Sequence, residues 1–422
     1  MTVQRLVAAL VLAAAPAFAP AKDLTLAEAE RLLGERNRDL VAARRSVEAA
    51  GAQRAQAAVR PNPILSLNSS SISNNPGTGS GPPNQWRIDT VLRIDQPFER
   101  GGKRELRMDA AEGLERAARG DALDVLRQQL AQLRAAYYEL KQAEEKVLIL
   151  GETAQLFGRT LAAAQARLKA GDIAAADVAR VQVDHERAQN EARAAQADLA
   201  RSRLALGWLI GEEREAGELR AADPWPPAAA PDPAEFARAA AAAELRPDVR
   251  AAVARVAAAE KLRDLAKSQQ TRDITVGAQY ERYPGSVPVD SVGFGISLPL
   301  FTGNDFSADV RRAEVERYAA QDALERVRAA AANDIRRAAA DLAAAAERRV
   351  RYEGTLLEAA RRTAQAVEFA FQRGAASVLE VLDARRTLRA VELEAIAARV
   401  DHARALAGWR AAQTTVDTLG DK

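Results

Sequence analysis

The sequence predicts a mainly α-helical protein of very long coiled-coil helices, carrying two β-hairpins whose strands have transmembrane dimensions. Three observations carry this prediction: an internal repeat, long proline-free heptad stripes, and short alternating segments that end in proline and then glycine.

The repeat sets the organisation. NRDLVAARRSVEAA (Asn37 to Ala50) has a counterpart in RPDVRAAVARVAAA (Arg246 to Ala259). LRIDQPFERGGKR (Leu92 to Arg104) is matched by ISLPLFTGNDF (Ile296 to Phe306). LKAGDIAAADV (Leu168 to Val178) pairs with FQRGAASVLEV (Phe371 to Val381), and LGW (Leu206 to Trp208) with AGW (Ala407 to Trp409). All four pairs keep their order at offsets between 201 and 209 residues, which chance does not preserve.

Composition supports long helices. The 422 residues are 28% charged and only 5% aromatic, with Lys+Arg (60) nearly balancing Asp+Glu (58). A net charge of +2 and the lack of any basic block argue against nucleic acid. There is no cysteine, and only two histidines and two methionines, so no disulfide frame, thiolate site or soft-metal ligand set is expected. No cofactor site is expected. Nor is an enzyme, because the chain has no nucleophile elbow, phosphate loop or metal constellation.

Residues 1–21 read as a secretory signal: Arg5, an apolar run from Leu6 to Ala15, then Ala19-Pro20-Ala21 as a small-x-small cut site before Lys22. The alternative cut after Ala19 leaves Pro20 beside the cleaved bond. The apolar run is too short for an anchor, and no other stretch is long enough for a transmembrane helix.

Each copy reads helix, strand, loop, strand, helix, helix. Repeat one (22–220) opens with a helix at about 25–58, with Thr25 as N-cap and Glu28 completing a capping box. RPNP (60–63) ends it, since proline removes a helical donor and displaces its predecessor from the α region. A hairpin is expected at about 64–96, a long helix at 103–170 and another at 172–212. The long helix carries a stripe of Leu123, Leu126, Leu130, Leu133, Tyr137, Leu140 and Val147 at steps of three and four. A proline-rich linker or belt occupies 221–235. Repeat two (236–422) repeats the order: a helix, a hairpin at about 273–301, a long helix at 304–371 and a helix at 375–418. Its stripe runs Ile335, Ala338, Leu342, Ala345, Arg349, Tyr352, Leu356, Ala359 and on to Ala370. At about 1.5 Å per residue, roughly 68 residues span on the order of 100 Å. Two shorter helices stacked end to end would match one long one, as in a cylinder wall of even height.

The strands argue for a membrane. In WRIDTVLRIDQ, Trp86, Ile88, Thr90, Leu92 and Ile94 fall on one face, and Arg87, Asp89, Arg93 and Asp95 on the other. In repeat two, Val292, Phe294, Ile296 and Leu298 oppose Ser291, Gly293, Gly295 and Ser297. A half-buried soluble sheet also alternates. Here, however, the strands have the length a tilted membrane strand needs, and the helices are committed to each other. Four strands cannot close a barrel, and open edges in lipid cost several kcal/mol per unpaired group, so if these are membrane strands the chain must share one barrel with other copies.

These features together resemble the TolC family of outer-membrane efflux ducts, across about residues 24–418. The most specific segment is FQRGAASVLEVLDARRTL (Phe371 to Leu388), while RPNP and QPFERGGKR look most like the branch serving cobalt–zinc–cadmium exporters. The resemblance implies a homotrimer in outer-membrane lipid, sharing a 12-stranded barrel above a long periplasmic helical tunnel. It also implies a periplasmic adaptor and an inner-membrane pump of the resistance–nodulation–division type as partners. Its function would be a passive gated duct, carrying heavy-metal cations on branch resemblance, or drugs or proteins as other members do. A different class of reading is an exported periplasmic coiled-coil adaptor or structural protein, which the strand pairs between helices do not suit.

Residue by residue, the family's acidic aperture ring carries over to Glu380 and Asp383, one helical turn apart. Ordinary solvated helix acids are the plain alternative. Gly171 and Gly374 would be the hairpin tips that meet the adaptor, although a helix-ending glycine needs no partner. Pro97 and Pro299 would end barrel strands, with Gly101 and Gly303 permitting the swing into the helices. Asn304 or Thr302 would cap the repeat-two helix. Lys103 and Arg104 oppose the dipole of the helix they open, so they either face lipid phosphates or are solvated. His185 and His402 read as exposed helix residues and not as ligands.

Overall fold

The computed structural model describes residues 22–70, 88–283, 289–373 and 375–416. The signal segment, Trp86, the loop at 73–84 and Gly374 lie outside these residues. The chain divides into two compact units. One holds the residues up to Arg38 with Gln128–Pro233 and Arg337–Ala411; the other holds Asp39–Arg127, Ala234–Arg336 and the residues from Ala412 on.

In the first unit, β1 (Lys22–Leu24) runs parallel to β4 (Leu219–Ala221), with Lys22 opposite Leu219. α1 (Leu26–Arg36) starts as its sequence requires: the Thr25 hydroxyl accepts the Glu28 amide at 3.2 Å. The single helix expected over 25–58 is in fact two. Asn37 leaves helical geometry (φ −62°, ψ 128°) before α2 (Arg38–Ala57). No proline or glycine marks this break. The buried Asn37 amide donates to the Leu209 carbonyl at 2.9 Å, so a tertiary hydrogen bond holds it.

α3 (Lys103–Lys169) and α4 (Ala175–Ile210) follow. Leu133, Tyr137 and Leu140 of the α3 stripe are fully buried. The Tyr137 hydroxyl donates to the Leu24 carbonyl at 2.9 Å and accepts the Asp223 amide at 2.9 Å, fastening β1 and the linker to α3. Trp225 of the linker stacks on Tyr138 with centroids 5.6 Å apart.

The second unit holds α5 (Pro233–Ala241, except its first residue), α6 (Pro247–Ser268) and a four-stranded antiparallel sheet. The strands are β2 (Ile64–Ser70), β3 (Asp89–Phe98), β5 (Ile274–Tyr283) and β6 (Val289–Ser297), in the order β2-β3-β5-β6. The two hairpins are therefore zipped by β3 and β5, one strand from each repeat. Register places Leu92, Tyr280 and Val292 in one row and Ile94, Ala278 and Phe294 in the next. This apolar face is open: Phe294 is 83% exposed and Ile296 71%. The opposite face carries Arg93, Asp95, Gln279, Glu281 and three glycines. In this unit α3 also meets α6 at backbone distance. A Cβ placed at Gly113 or Gly120 would lie 2.9 Å from the Cβ of Ala258 or Ala251, respectively.

The repeat-two long helix starts at Ser307, three residues later than expected, and is not continuous. α7 (Ser307–Arg351) passes through a π-helical turn, Tyr352–Leu356, into α8 (Leu357–Gln372). The turn corrects the predicted stripe. Leu133 and Ile335, and Leu140 and Leu342, are buried equivalents 202 residues apart; beyond the turn, Phe157 and Ala360 are 203 apart. Repeat two has one extra residue, and the π-turn absorbs it. The buried members after it are Leu357, Ala360 and Ala364, while Leu356 is exposed. α9 (Val378–Ala412) completes the chain's described helices. None of the described helices is long and apolar enough to cross a membrane.

Candidate functional site

The tip of the first unit is built by two helix ends, of α3 and α8, and two helix starts, of α4 and α9. α3 closes on Gly171, whose φ of +81° only glycine adopts freely. The Asp172 amide reaches the Arg167 carbonyl at 2.9 Å and the Gly171 amide reaches Leu168 at 3.0 Å, a complete Schellman closure. In repeat two the Ala375 amide makes the corresponding bond to Ala370 at 2.9 Å.

α9 starts on a capping box. The Ser377 amide donates to Glu380 Oε2 at 2.6 Å, and the Glu380 amide donates to the Ser377 hydroxyl at 3.3 Å. Hydrogen bonding to the carboxylate from the Ser377 backbone amide, and then from its side chain, holds the Glu380 carboxyl below its usual range. Sequence reading assigned the box at Thr25 and overlooked this one, although S-V-L-E has the same spacing. Asp383 is exposed one turn later. Around it Arg385 pairs with Glu368, Arg386 with Asp184, and Arg389 with Glu191 at 2.8 Å. Among the described residues no cation pairs with Asp383. The arginines are thus spent on binding α9 to α4 and α8, and the aspartate charge is left uncompensated. Beside it lies a cavity of about 690 Å³, lined by Arg159, Arg167, Arg180, Ile173, Phe371 and Leu382.

At the strand-to-helix turns the structure departs from expectation in three ways. β3 does not stop at Pro97 but runs to Phe98, with Pro97 opposite Thr275. The missing proline donor is tolerated because β2 pairs only as far as Asp95. Gly101 and Gly102 do turn the chain, at φ +73° and +69°. In repeat two Gly303 does not: the left-handed residue is Phe306, at φ 62°, with its ring edge-on to Phe301 at 5.0 Å. Neither Asn304 nor Thr302 is the N-cap of α7. Asn304 Oδ1 accepts the Phe306 amide at 2.9 Å, and Asp305 accepts the Ser307 amide at 3.0 Å. Pro299 lies past the end of β6.

Lys103 and Arg104 are neither lipid-facing nor simply solvated. Lys103 is buried and donates to the Thr271 carbonyl and to Asp273, both at 2.8 Å. Arg104 donates to the Ala58 carbonyl at 2.7 Å, and Arg107 to Ala57 at 3.2 Å, so both meet the negative end of α2. Their charges oppose one dipole and satisfy another.

His402 is likewise not exposed; it is fully buried in a network missed at the sequence level. Its Nε2 faces the Ala229 carbonyl at 3.2 Å and its Nδ1 faces Arg349 at 3.4 Å. Arg349 also donates to the Pro226 carbonyl at 2.5 Å and to Glu353 at 3.2 Å. Arg399 joins Glu353 to Glu145, which accepts the Trp225 indole at 2.6 Å. Burial and the neighbouring Arg349 cation hold the imidazole neutral, below its usual range. His185 is half-buried, 2.8 Å from the Gln189 amide nitrogen. Among the described residues no group of three or more His, Asp or Glu side chains is placed to hold a metal.

A family model described as "Outer membrane efflux protein" matches residues 31–212 and 239–413, one segment within each repeat. The chain belongs to the outer membrane efflux protein family. This efflux protein is 27% identical over 405 residues to the cobalt-zinc-cadmium resistance protein CzcC of Cupriavidus metallidurans, covering 94% of this chain and 90% of that one. Among solved structures it superposes on the outer-membrane channel OprN with a TM-score of 0.74, at 23% identity, covering 92% of this chain and 89% of that chain. VceC, an outer membrane protein of Vibrio cholerae, gives 0.73 at 19% identity, with 92% and 96% covered. The efflux protein is thus an outer-membrane channel and not an enzyme, and its helices and small sheet have the family fold.

Proposed function

We propose that the chain is the outer-membrane duct of a three-part pump, carrying heavy-metal cations from the periplasmic side to the exterior. The observation that carries this reading is the four-stranded sheet with an exposed apolar face and, among the described residues, two unpaired edges, β2 and β6. In lipid such edges must be paired, and three copies placed edge to edge close a barrel with the apolar face outward. The metal cargo rests on the likeness to CzcC, whose name is that of a cobalt, zinc and cadmium resistance protein.

Glu380 and Asp383 stand one turn apart at the start of α9, and in the assembled duct three copies of each would ring the aperture. Like charges at a constriction favour cations and resist closure. Gly171 and Gly374 are the expected helix-hairpin tips that would meet the periplasmic adaptor. The turns at Pro97 and Gly101, and at Pro299 and Phe306, join barrel to tunnel, while Gly303 is a spacer.

Two measurements test this reading. Protein extracted from outer membranes should run as a trimer before boiling and a monomer after. Deleting the gene should sensitise cells to cobalt, zinc or cadmium, with rescue by the intact gene. A monomer, or sensitivity to organic drugs alone, would overturn it.

A further inference from the structure

The polar face of the sheet holds an ordered ribbon of side chains. Arg93 is clamped on Asp95 by two bonds, Nε to Oδ2 at 2.7 Å and Nη2 to Oδ1 at 2.8 Å, and its third nitrogen donates to Gln279 at 3.0 Å. Gly277 makes the room: a Cβ there would fall 2.7 Å from Arg93 Nη2, whereas one at Gly295 would make an ordinary contact, 3.7 Å from the same guanidinium. Arg93 therefore lies flat across β5 and β6, its charge cancelled by Asp95.

The ribbon continues to a carboxylate that is not cancelled. Glu281 accepts the Gln279 amide, the Tyr283 hydroxyl at 2.7 Å and the Ser291 hydroxyl at 3.4 Å. All three donors are neutral. Among the described residues no Lys or Arg pairs with Glu281, and the adjacent Arg282 points to the other face, opposite Asp290 in the β5–β6 register. Neutral donors fix a carboxylate in place without removing its field.

We propose that Glu281 is a selectivity-determining residue of the barrel, an oriented anion on the lumen wall that favours cations over anions. This rests on the reading that three sheets close with the polar face inward, where three copies of Glu281 would form a ring. The clamped Arg93–Asp95 pair beside it contributes almost no net field.

The test is the reversal potential of purified protein in planar bilayers under a salt gradient, with the dilute side facing the barrel. Chains with Glu281 and with Glu281→Gln are compared in a Glu380→Gln/Asp383→Asn background, so that the tip ring does not mask the barrel. Glutamine keeps the acceptor oxygen and removes the charge. Glu281→Gln is expected to move the potential toward zero, and the difference should vanish at about 1 M salt, where screening extends only about 3 Å. The double variant Arg93→Gln/Asp95→Asn removes a neutral pair and should leave the potential unchanged. Pores with the same potential in wild type and Glu281→Gln would overturn the role of Glu281 alone. Failure of wild type to form trimers or pores would overturn the barrel reading and this inference with it.

Discussion

Ser377 and Glu380 cap each other at the start of α9, amide to carboxylate at 2.6 Å and amide to hydroxyl at 3.3 Å. The residue proposed for the aperture ring therefore also sets the first turn of the helix that carries it. Substitutions should separate the two roles. Ser377→Ala should destabilise the start of α9 by about 1 kcal/mol, seen as faster amide exchange in that turn, with the ring charge unchanged. Asp383→Asn should alter cation selectivity without affecting exchange. Glu380→Gln should preserve the cap and remove charge, and Glu380→Ala should lose both.

The buried His402 makes stability depend on pH. Arg349 from α7 and the Ala229 carbonyl contact it, Glu353 of the π-turn acts on it electrostatically, and Arg399 on its own helix and Glu145 from α3 extend the network through Glu353. Its folded pKa lies below the ordinary 6.5, so between the two values the unfolded chain binds more protons. Stability should be full above about pH 6.5 and fall as pH drops below it. His402→Phe should flatten that slope in thermal melts recorded from pH 7.5 to 5, whatever its effect on the absolute midpoint.

The contact of Gly120 with Ala251 leaves no space for a side chain. Gly120→Val should force α3 and α6 apart and cost about 1–3 kcal/mol. Gly120→Ala should be milder, and Ala251→Gly in the same chain should recover most of the loss. A double-mutant cycle on denaturant midpoints reads this coupling directly.

The π-turn makes a deletion prediction. Removing Thr355, exposed within the turn, should let the helix run as plain α while the buried stripes on both sides keep their faces. Removing Ala329, also exposed but within α7, should swing Ala331, Ile335 and Leu342 about 100° away from the core. The first variant should still assemble and melt near wild type; the second should not.

Much of this molecule could be read from its sequence alone. The repeat, the 3.5-residue stripes, the Thr25 cap, the helix-ending Gly171 and the alternating strands are local patterns, and each reflects a period or backbone angle that one or two residue types satisfy. They were enough to place the long helices and the paired strands, whereas the acidic aperture residues Glu380 and Asp383 came from the family resemblance alone. What only the tertiary structure decided involves partners far apart in the chain. Asn37 breaks a helix because Leu209 offers a carbonyl; Lys103 and Arg104 defy one helix dipole because Asp273 and the end of α2 receive them. His402 is buried because the linker closes over it, and one surplus residue in repeat two becomes a π-turn because the core on either side does not yield its register. A charge or a kink with a distant partner leaves no trace in local composition, since the free energy that fixes it comes from groups 46 to 173 residues away.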